Sequence, residues 1–439
     1  MDKIVSLCKR RGFVYQSSEI YGGINSCWDY GPLGAELKRN IKDHWWTTMT
    51  HRREDVEGLD AAILMHPQVW VTSGHVGGFT DPLVDCKECK ARFREDQIED
   101  AMCGSPAYKG RKASKCRDEG KFTESRQFNL MFKTFMGPVE DAASIVYLRP
   151  ETAQGIYVNF LNVQGPMRRK IPFGIAQIGK AFRNEISPGN FIFRSREFEQ
   201  MEMQFFVNPK EDQKWFEYWK EARRQWYLDL GLREEKLRFH QHGPGELAHY
   251  AKDAYDIEYE FPFGWKEFEG IHNRTDFDLG RHKEASGVDL TYFDEETRER
   301  FVPYIIETSA GADRTTLVCL VDGYREEEVK GETRTVIRLH PRIAPVKAAI
   351  LPLVNRDGMP ETSLKLTDEL RKRFKVFYDD KGAVGRRYRR MDEIGTPYCI
   401  TIDSDSAQDQ AVTIRERDSM EQVRIALDKV GDWVGERVK

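Results

Sequence analysis

The fold of this chain is decided by residues 174–207, which read GIAQIGKAFRNEISPGNFIFRSREFEQMEMQFFV. Apolar and polar side chains alternate here, which predicts two antiparallel strands joined by a loop. One face of the second strand would carry Met201, Met203, Phe205 and Val207. The opposite faces of the two strands would carry Gln177, Arg183 and Glu185, and Phe198, Gln200, Glu202 and Gln204. An ordinary surface strand would carry Lys and Thr there, so this set predicts the floor of a ligand site.

The loop between the two strands is basic and aromatic. It contains Pro188-Gly189 followed by Phe191, Phe193, Arg194 and Arg196. Guanidinium groups pair with anions and stack on flat rings. The loop therefore favours a negatively charged, planar ligand such as a nucleotide.

Length and composition indicate an intracellular globular protein. The 439 residues allow roughly two to four domains, and 40% hydrophobic residues support buried cores. We find neither a long apolar run nor the apolar region of a secretory signal, so we expect a cytoplasmic protein without a membrane partner. The net charge of −4 argues against a general nucleic-acid coat. The basic run 371–390 is either a local binding patch or a solvated face.

Four of the eight cysteines lie in one polar, Lys-rich segment, residues 83–137, which we interpret as an insertion. They are Cys86, Cys89, Cys103 and Cys116. Cys86-x-x-Cys89 is half of a zinc-ribbon pattern, but a second CxxC is missing. A structural zinc site made by all four cysteines and a knuckle without metal both fit this spacing.

Hydrophobic spacing predicts an α+β core. Apolar residues recurring every four positions predict a long helix over 33–49, and residues 152–163 predict another. Residues 302–307 predict a strand that reaches a tight turn at Thr308–Gly311 and then a helix over 312–321. Arg314 would lie in the first turn of that helix, where the helix dipole attracts anions.

A second domain is predicted after the prolines at 341 and 345. We expect the core over 1–338, with a helical and mixed insertion at about 209–300, and a small α/β domain over 339–439. The predicted strands of the small domain lie at about 345–353, 375–378, 397–403 and 411–416. Its last helix would carry Val423, Leu427, Val430 and Val434.

Several common enzyme classes do not fit. Residues 174–181 nearly match a phosphate-binding P-loop, but Ala181 stands where the Mg²⁺-binding hydroxyl is needed and the segment alternates like a strand. The fingerprints GxGxxG at a βαβ unit, HExxH and GxSxG are not present in the sequence.

Charged residues near the predicted strand ends point to a different chemistry. They are Arg183, Arg314, Glu151, Glu185, Glu202 and Glu307. Each one alone also fits a structural ion pair. Together they predict a site for a polyphosphate and an ammonium, because arginine neutralises phosphate charge while carboxylates hold Mg²⁺ or an amine.

These residues carry a family resemblance. Phe182-Arg183-Asn184-Glu185 with Phe193-Arg194 and Phe198 resembles motif 2 of the class II aminoacyl-tRNA synthetases. Gly311-Ala312-Asp313-Arg314 resembles motif 3, and Gly31-Pro32 before the long helix resembles motif 1, the dimer-interface element. The strings WDYGPLGAELKRNI (28–41), RPETAQGIYVNF (149–160), REFEQMEMQFF (196–206) and PYIIETSAGADR (303–314) are similar to the dimeric glycyl-tRNA synthetases over nearly the whole chain.

The resemblance implies an activity and its partners. It implies a glycine–tRNA ligase that uses ATP with Mg²⁺ to make glycyl-adenylate and then transfers glycine to the 3′ end of tRNA(Gly). It also implies a cytoplasmic homodimer. The α/β domain is similar to the anticodon-binding domain shared by the glycyl, histidyl, prolyl and threonyl enzymes.

The resemblance also implies the nucleotide contacts. Arg183 would bind the α-phosphate, while Arg314 would hold the γ-phosphate and cover the adenine, which Phe198 stacks from the other side. The full set implied for ATP is Arg183, Asn184, Glu185, Phe193, Arg194, Ser195, Arg196, Glu197, Phe198, Lys266, Glu267, Gly311, Ala312, Asp313 and Arg314. Positioning and electrostatics dominate such transfers, so no general base is assigned.

Glycine would be held by charge alone. Glu151, Glu202 and Glu307 would surround its ammonium, and Ser309 with the predicted turn would crowd its α-carbon. Arg92 would contact its carboxylate. The full set implied for glycine is Arg92, Glu151, Phe198, Glu199, Gln200, Met201, Glu202, Glu307, Thr308, Ser309, Ala310 and Gly311.

Two rival functions are weighed against this one. A catalytically inactive, nucleic-acid-binding relative should lack Arg183, Glu185 and Arg314, and this chain has all three. A sister enzyme for proline, threonine or histidine needs room, or a metal, for a side chain. A Glu-rich pocket crowded by Ser309 disfavours it.

Overall fold

A computed structural model describes residues 1–99, 101–103, 111–186, 189–248, 250–329 and 331–439. The strands in chain order are Val14–Gln16 (β1), Trp28–Tyr30 (β2), Val56–Gly58 (β3), Thr80–Asp85 (β4), Arg92–Arg94 (β5), Arg126–Asn129 (β6), Lys133–Phe135 (β7), Ile145–Tyr147 (β8), Phe173–Phe182 (β9), Glu197–Val207 (β10), Leu237–Gln241 (β11), Asp253–Phe261 (β12), Gly264–Thr275 (β13), Tyr292–Phe293 (β14), Arg300–Phe301 (β15), Tyr304–Gly311 (β16), Tyr324–Val329 (β17), Glu332–Ile337 (β18), Ala348–Pro352 (β19), Val376–Tyr378 (β20), Tyr398–Ile402 (β21), Ala411–Glu416 (β22) and Gln422–Ala426 (β23). The helices are Asp2–Arg11 (α1), Pro32–Trp46 (α2), Pro67–Thr72 (α3), His75–Gly78 (α4), Ser114–Asp118 (α5), Ala153–Tyr157 (α6), Phe160–Gln164 (α7), Asp212–Asp229 (α8), Phe277–Ser286 (α9), Ala312–Gly323 (α10), Met359–Arg371 (α11), Val384–Glu393 (α12), Ser406–Asp409 (α13) and Val430–Arg437 (α14).

A seven-stranded sheet forms the centre of the molecule, in the order β11-β12-β13-β16-β10-β9-β3. Its pairings are antiparallel except that β3 runs parallel to β9. The predicted strand pair is confirmed: β9 and β10 pair from Phe173↔Phe206 to Phe182↔Glu197. Pro188 of the connecting loop lies outside the described residues. Together with the helices, this sheet confirms the predicted α+β class.

The hydrophobic core lies on one face of this sheet. Met201, Met203 and Phe205 of β10 are fully buried there beneath α2, α8 and α10. Helix α8 is amphipathic and buries Phe216 and Trp219. Because side chains alternate along a strand, the other polar face of β10 is left to line a cleft.

Two helical predictions differ in detail from the structure. The long helix α2 begins at Pro32 and continues past Trp46 as a wider turn over Thr47–His51. The segment 152–163 forms two short helices, α6 and α7, instead of one. None of the helices in the described ranges is long and apolar enough to span a bilayer.

The prediction of a tight turn at Thr308–Gly311 is wrong. Strand β16 stays extended through Gly311. Ala310 is paired on both sides, with Met201 of β10 and with Glu269 of β13. Gly311 has φ −80° and ψ 119°, an extended conformation that any residue can adopt. The ladder hydrogen bonds of two neighbours therefore hold the segment extended until α10 begins at Ala312.

The C-terminal residues form a mixed sheet with its own core. Its order is β20-β19-β21-β22-β23, with β19 parallel to β20 and β21. The prediction that Val423 belongs to the last helix is wrong, since Gln422–Ala426 pairs with β22 as a fifth strand. Helix α14 keeps Val430 and Val434, both fully buried. We propose a domain boundary between residues 338 and 339, just before this unit.

The cysteine-bearing segment forms a small three-stranded sheet, β5-β4-β6. Cys86 and Cys116 are buried in its core, and Cys89 and Cys103 pack against it. Burial and the neighbouring Cys103 raise the pKa of Cys116 to about 11. Within the described ranges, no group of three or more His, Cys, Asp or Glu side chains is placed to hold a metal ion. Zinc binding stays a prediction, and metal analysis of the purified chain tests it.

Candidate active site

A cleft of about 210 Å³ opens above the polar face of the central sheet. Most residues predicted for the site line it: Glu151, Arg183, Glu185, Phe193, Arg194, Ser195, Phe198, Glu199, Gln200, Glu202, Glu267, Glu307, Ser309, Gly311, Asp313 and Arg314. Six lining residues were not predicted: Ile192, Tyr250, Phe268, Gly270, His272 and Arg274. The sheet register explains why residues distant in sequence meet here.

The floor of the cleft consists of two rows of cross-strand neighbours. Gln177, Glu202, Ser309 and Gly270 follow one another across β9, β10, β16 and β13. Gln204, Glu307 and His272 form the next row. Residues in the same or adjacent rows on one face lie close together. The register therefore places the carboxylates of Glu202 and Glu307 on neighbouring strands, one row apart.

Glu202 is buried at the centre of the floor. Its Oε2 accepts a hydrogen bond from Thr152 Oγ1 at 2.7 Å. Its Oε1 accepts from Gln200 Nε2 at 2.8 Å and from Ser309 Oγ at 2.7 Å. Burial, together with the charges of Glu307 and Glu151, raises the pKa of Glu202 to about 8. At neutral pH Glu202 is therefore largely protonated, whereas the neighbouring carboxylates of Glu307 and Glu151 are ionised.

Glu307 is the ionised neighbour on β16. It accepts a hydrogen bond from Gln204 Nε2 at 2.8 Å, and His272 Nδ1 lies 2.9 Å from its Oε1. Burial opposes ionisation, but the charges of Arg274 and His272 lower the pKa of Glu307 to about 2.

Glu151 is the third carboxylate and comes from the segment before α6. His75 Nε2 lies 3.4 Å from its Oε2, and Gln154 Nε2 donates to its Oε1 at 3.0 Å. Burial raises the pKa of Glu151, but His75 and Arg274 outweigh this effect and hold the pKa well below its usual range. The three carboxylates thus line the same cleft, and Glu151 and Glu307 are ionised there.

Arg274 of β13 is the buried cation beside these carboxylates. It donates from Nε and Nη2 to Asp278, at 2.8 and 3.1 Å, and from Nη1 to Glu307 at 3.3 Å. Burial disfavours its charge, but Asp278 and Glu307 raise its pKa well above the usual value. Held in this way, the guanidinium fixes the position of the Glu307 carboxylate at the floor of the cleft. Sequence analysis missed it because nothing in the HNRTDF string marks the register of β13.

Aromatic rings flank the guanidinium groups at the other end of the cleft. Arg183 lies between the rings of Phe79 and Phe198, 5.4 and 5.3 Å from their centroids. Arg314 lies 4.5 Å from the ring centroid of Phe193 and donates to Glu267 Oε2 at 3.2 Å. Burial and the nearby charge of Arg314 lower the pKa of Arg194. This end therefore concentrates positive charge and flat rings.

Two predicted site carboxylates already bind protein donors. Asp313 accepts from Tyr30 Oη at 2.5 Å, from Lys38 Nζ at 2.8 Å and from the backbone N–H of Glu199 at 2.7 Å. The Glu199 carboxylate pairs with Lys38 at 2.7 Å and with Lys42 at 2.8 Å. Both side chains therefore fix the start of α10 and β10 against α2.

The structure does not bring every predicted residue to the cleft. Arg92 is largely exposed on β5 and pairs with Asp85 at 2.8 Å, so the small sheet holds it away from the site. The side chains of Met201, Thr308 and Ala310 alternate onto the core face of the sheet. The remaining residues that do not line the cleft are Asn184, Arg196, Glu197, Lys266 and Ala312.

Comparison with known proteins agrees with this geometry. Residues 135–340 match the family "tRNA synthetase class II core domain (G, H, P, S and T)", and residues 347–437 match "Anticodon binding domain". The fold and the cleft are thus those of a class II aminoacyl-tRNA synthetase.

Full-length relatives narrow the class. A glycine–tRNA ligase of Treponema denticola is 59% identical over 97% of this chain and 94% of its own length. Those of Thermobifida fusca and Caldanaerobacter subterraneus are 54% and 55% identical over 100% of this chain and 98% of their own lengths. The chain belongs to the glycine–tRNA ligase family.

Proposed function

We propose that this chain joins glycine to ATP, forming glycyl-adenylate and pyrophosphate, and then transfers glycine to the 3′ end of tRNA(Gly). The observation that carries the proposal is the composition of the cleft. Glu202, Glu307 and Arg274 are buried at one end beside the partly exposed Glu151, and partly exposed guanidinium groups with flat rings occupy the other end. A small zwitterion and a nucleotide fit these two ends by charge.

The carboxylate end suits an amino acid that has no side chain. The glycine ammonium would lie among Glu151, Glu202 and Glu307, and its carboxylate would point towards Arg183, where the α-phosphate would bind. The Ser309 hydroxyl is held over the floor by its hydrogen bond to Glu202. A methyl group on the α-carbon would collide with this row, so steric exclusion rejects alanine.

The guanidinium end suits ATP. Arg183 would bind the α-phosphate, with Phe198 beneath the adenine and Arg314 at the γ-phosphate. Glu185 and Glu267 supply oxygen ligands of the kind that Mg²⁺ prefers. One Glu185 oxygen, Oε2, is buried without a hydrogen bond in the described structure, with Arg194 Nε 3.9 Å away, so it has room to accept a further cation. Bound Mg²⁺ would neutralise phosphate charge.

The residues would act by position and charge. A glycine carboxylate oxygen attacks the α-phosphorus, a P–O bond forms, and the bond to pyrophosphate breaks. Arg183 would stabilise the charge that develops on the α-phosphoryl oxygens. The terminal hydroxyl of tRNA then attacks the glycyl carbonyl, a C–O ester bond forms, the bond to AMP breaks, and the hydroxyl proton passes to the departing phosphate. Arg274 would keep Glu307, and with it the ammonium pocket, in position before the first step.

The remaining partners follow from other surfaces. The basic residues of α12 and the preceding loop, including Arg386, lie in the C-terminal unit and would meet the anticodon arm of tRNA(Gly). The long helix α2 would form part of a homodimer interface, as its motif 1 resemblance implies.

ATP–pyrophosphate exchange measured separately with each amino acid tests the proposal. We expect exchange with glycine and none above background with alanine, proline, threonine or histidine. Exchange driven by alanine or threonine but not by glycine would establish a sister specificity. A chain that supports no exchange but binds tRNA would be the inactive relative.

A further inference from the structure

Gln154 binds one of the cleft carboxylates from the protein side. It lies in helix α6, three residues after Glu151, and its side chain is buried. Its Nε2 donates to Glu151 Oε1 at 3.0 Å and to Asp278 Oδ1 at 3.1 Å. Glu151 lines the cleft, whereas Gln154 lies behind it. The amide therefore reaches a ligand only through the carboxylate that it holds.

His282 of helix α9 fixes the orientation of this amide. Its Nε2 lies 2.8 Å from Gln154 Oε1. Ionised carboxylates only accept hydrogen bonds, so the amide nitrogen of Gln154 must be the atom that faces Glu151 and Asp278. The carbonyl oxygen then faces His282 and needs a donor, which places the imidazole proton on Nε2. Burial lowers the pKa of His282, so the ring donates as a neutral imidazole.

The same amide is linked to the second ionised carboxylate of the floor. Asp278 accepts from Gln154 and also from Arg274, at 2.8 and 3.1 Å. Arg274 in turn donates to Glu307 at 3.3 Å. Asp278, Arg274 and Glu307 are all buried, and buried polar groups that lose a partner are not compensated by water. Gln154 therefore joins Glu151 and Glu307 in one connected network.

We propose that Gln154 is a positioning residue for glycine, which holds the Glu151 carboxylate at the ammonium pocket and is itself oriented by His282. The inference rests on the proposed function, in which the ammonium would lie among Glu151, Glu202 and Glu307. Glutamine suits this position because it supplies two N–H donors without a charge. A lysine would neutralise the carboxylate that the ammonium needs, and a glutamate would repel it.

The position of Glu151 matters because few charges meet the ammonium. Glu151 and Glu307 are ionised at neutral pH, whereas Glu202 is largely protonated. A hydrogen bond weakens steeply when its angle departs from the ideal. A Glu151 carboxylate that is free to rotate should therefore weaken glycine binding, while the phosphate contacts of Arg183 stay unchanged.

The first test changes the donor behind the amide and measures ATP–pyrophosphate exchange. His282→Phe keeps a ring but removes the N–H, so KM for glycine should rise by about 10-fold while KM for ATP changes by less than about 2-fold. His282→Gln places an N–H close to the position of Nε2 and should stay within about 2-fold of the unaltered chain for both substrates. His282 also lines a cavity of about 350 Å³ beside α3 and α7, which gives the new side chains room.

The second test removes the amide itself. Gln154→Met has a similar length but no N–H group, so KM for glycine should rise by about 10-fold or more because Glu151 loses a donor. The matched control is Gln164→Met in α7, whose amide donates to the backbone oxygen of Arg169 at 2.9 Å. The control should change KM for glycine by less than about 2-fold. Circular dichroism checks that both variants are folded.

A further probe separates positioning from loss of fold. Glycinamide carries the ammonium but no carboxylate, so its inhibition constant should rise in Gln154→Met by the same factor as KM for glycine. An unchanged KM for glycine in Gln154→Met, or equal losses in His282→Gln and His282→Phe, would overturn the inference. A parallel rise in KM for ATP would show a general collapse of the pocket and overturn it too. Lack of glycine exchange in the unaltered chain would instead refute the proposed function.

Discussion

The guanidinium of Arg183 is held by its neighbours before any ligand arrives. Its Nε donates to the backbone oxygen of Pro150 at 3.0 Å, and two aromatic rings flank it. We predict that Arg183→Ala lowers the rate of adenylate formation by about 10²–10³-fold or more, because one charged contact to the developing negative charge is lost. ATP–pyrophosphate exchange measures the rate, and circular dichroism checks the fold.

Lys180→Ala is the matched control for Arg183→Ala. Lys180 lies on β9, which ends one residue before Arg183; it is half exposed and pairs with Glu197. Exposed pairs contribute little, so exchange should stay within about 2-fold of the unaltered chain. Normal exchange in Arg183→Ala would refute the role assigned to Arg183.

The raised pKa of Glu202 predicts that glycine binding is coupled to the release of a proton. This pKa is about 8, and an ammonium beside the carboxyl group favours its ionised form. We therefore expect glycine binding to release a proton below pH 8 and KM for glycine to fall as pH rises from about 6 to 8. Calorimetry in buffers of different ionisation enthalpy counts the proton. The Glu202→Gln variant should lose this proton release, and proton uptake by the unaltered chain would contradict the prediction.

The raised pKa of Glu202 also makes the free energy of unfolding depend on pH when glycine is absent. The folded-state pKa of Glu202 lies above its unfolded value of 4.5, so the folded chain binds more protons between these values. The contribution of Glu202 to the free energy of unfolding is therefore fully present below about pH 4.5 and is lost as pH rises towards 8.

The side chains that sequence analysis missed lie on β13 and on two loops. His272 and Arg274 follow β10 by more than 60 residues in sequence, and the pairing β13·β16·β10 brings them to the floor. Tyr250 comes from the loop between β11 and β12. Arg92 was chosen by family position, but it pairs with Asp85 on the small sheet and does not line the cleft. Charged residue types were therefore predictable, whereas their meeting depended on the register of strands.

Helix α2 reaches the cleft through a buried charge. Lys38 binds both Asp313 and Glu199, and its side chain is about one-tenth exposed. We predict that Lys38→Met lowers the free energy of unfolding by about 3–5 kcal/mol, because two buried carboxylates each lose a partner. It should also raise KM for ATP, since Asp313 fixes the first turn of helix α10, which carries Arg314. Urea unfolding and exchange kinetics measure the two effects.

Arg39→Ala on the exposed side of the same helix is the control. Arg39 is mostly exposed and lies 3.5 Å from Asp43. Its loss should change the free energy of unfolding by less than about 0.5 kcal/mol. Equal effects of Lys38→Met and Arg39→Ala would mean that the buried network does not stabilise α2.

Strands and helices were predicted best where the local spacing of apolar residues alone determines the structure. The alternation in β9 and β10 and the apolar spacing in α2 were sufficient. Val423 has helical spacing with Leu427 and Val430, yet Gln422–Ala426 pairs with β22, because an open strand edge outweighs weak helical propensity. The extended path of Ser309 and Ala310 likewise depends on two flanking strands, which sequence spacing does not reveal.

A buried charge cluster joins the β17–β18 hairpin to the C-terminal unit. Asp392 of α12 accepts from Arg334 of β18 at 2.9 Å and from Arg415 of β22 at 3.0 Å. Asp392 and Arg334 are both fully buried. We predict that Asp392→Leu lowers the free energy of unfolding by about 3–5 kcal/mol, since two guanidinium groups lose their anion.

The Asp392→Leu effect is measured by urea unfolding against Asp428→Leu, an exposed Asp of the same unit. At temperatures where both variants remain folded, glycine-dependent exchange should be unchanged while tRNA charging falls. Unaltered stability in Asp392→Leu would show that the other partners of Arg334, the Glu327 carboxylate and the backbone oxygen of Arg417, suffice.

The floor row Gln177–Glu202–Ser309–Gly270 sets a limit for protein engineers. Truncating one side chain would not make room for a bulkier amino acid. Gly270 has no side chain to remove, and the Ser309 hydroxyl binds Glu202. Even a methyl group at Gly270 would meet the His272 ring at 2.6 Å. Widening the pocket would require a new course for the backbone of β16 or β13, so substrate choice here is built into the sheet.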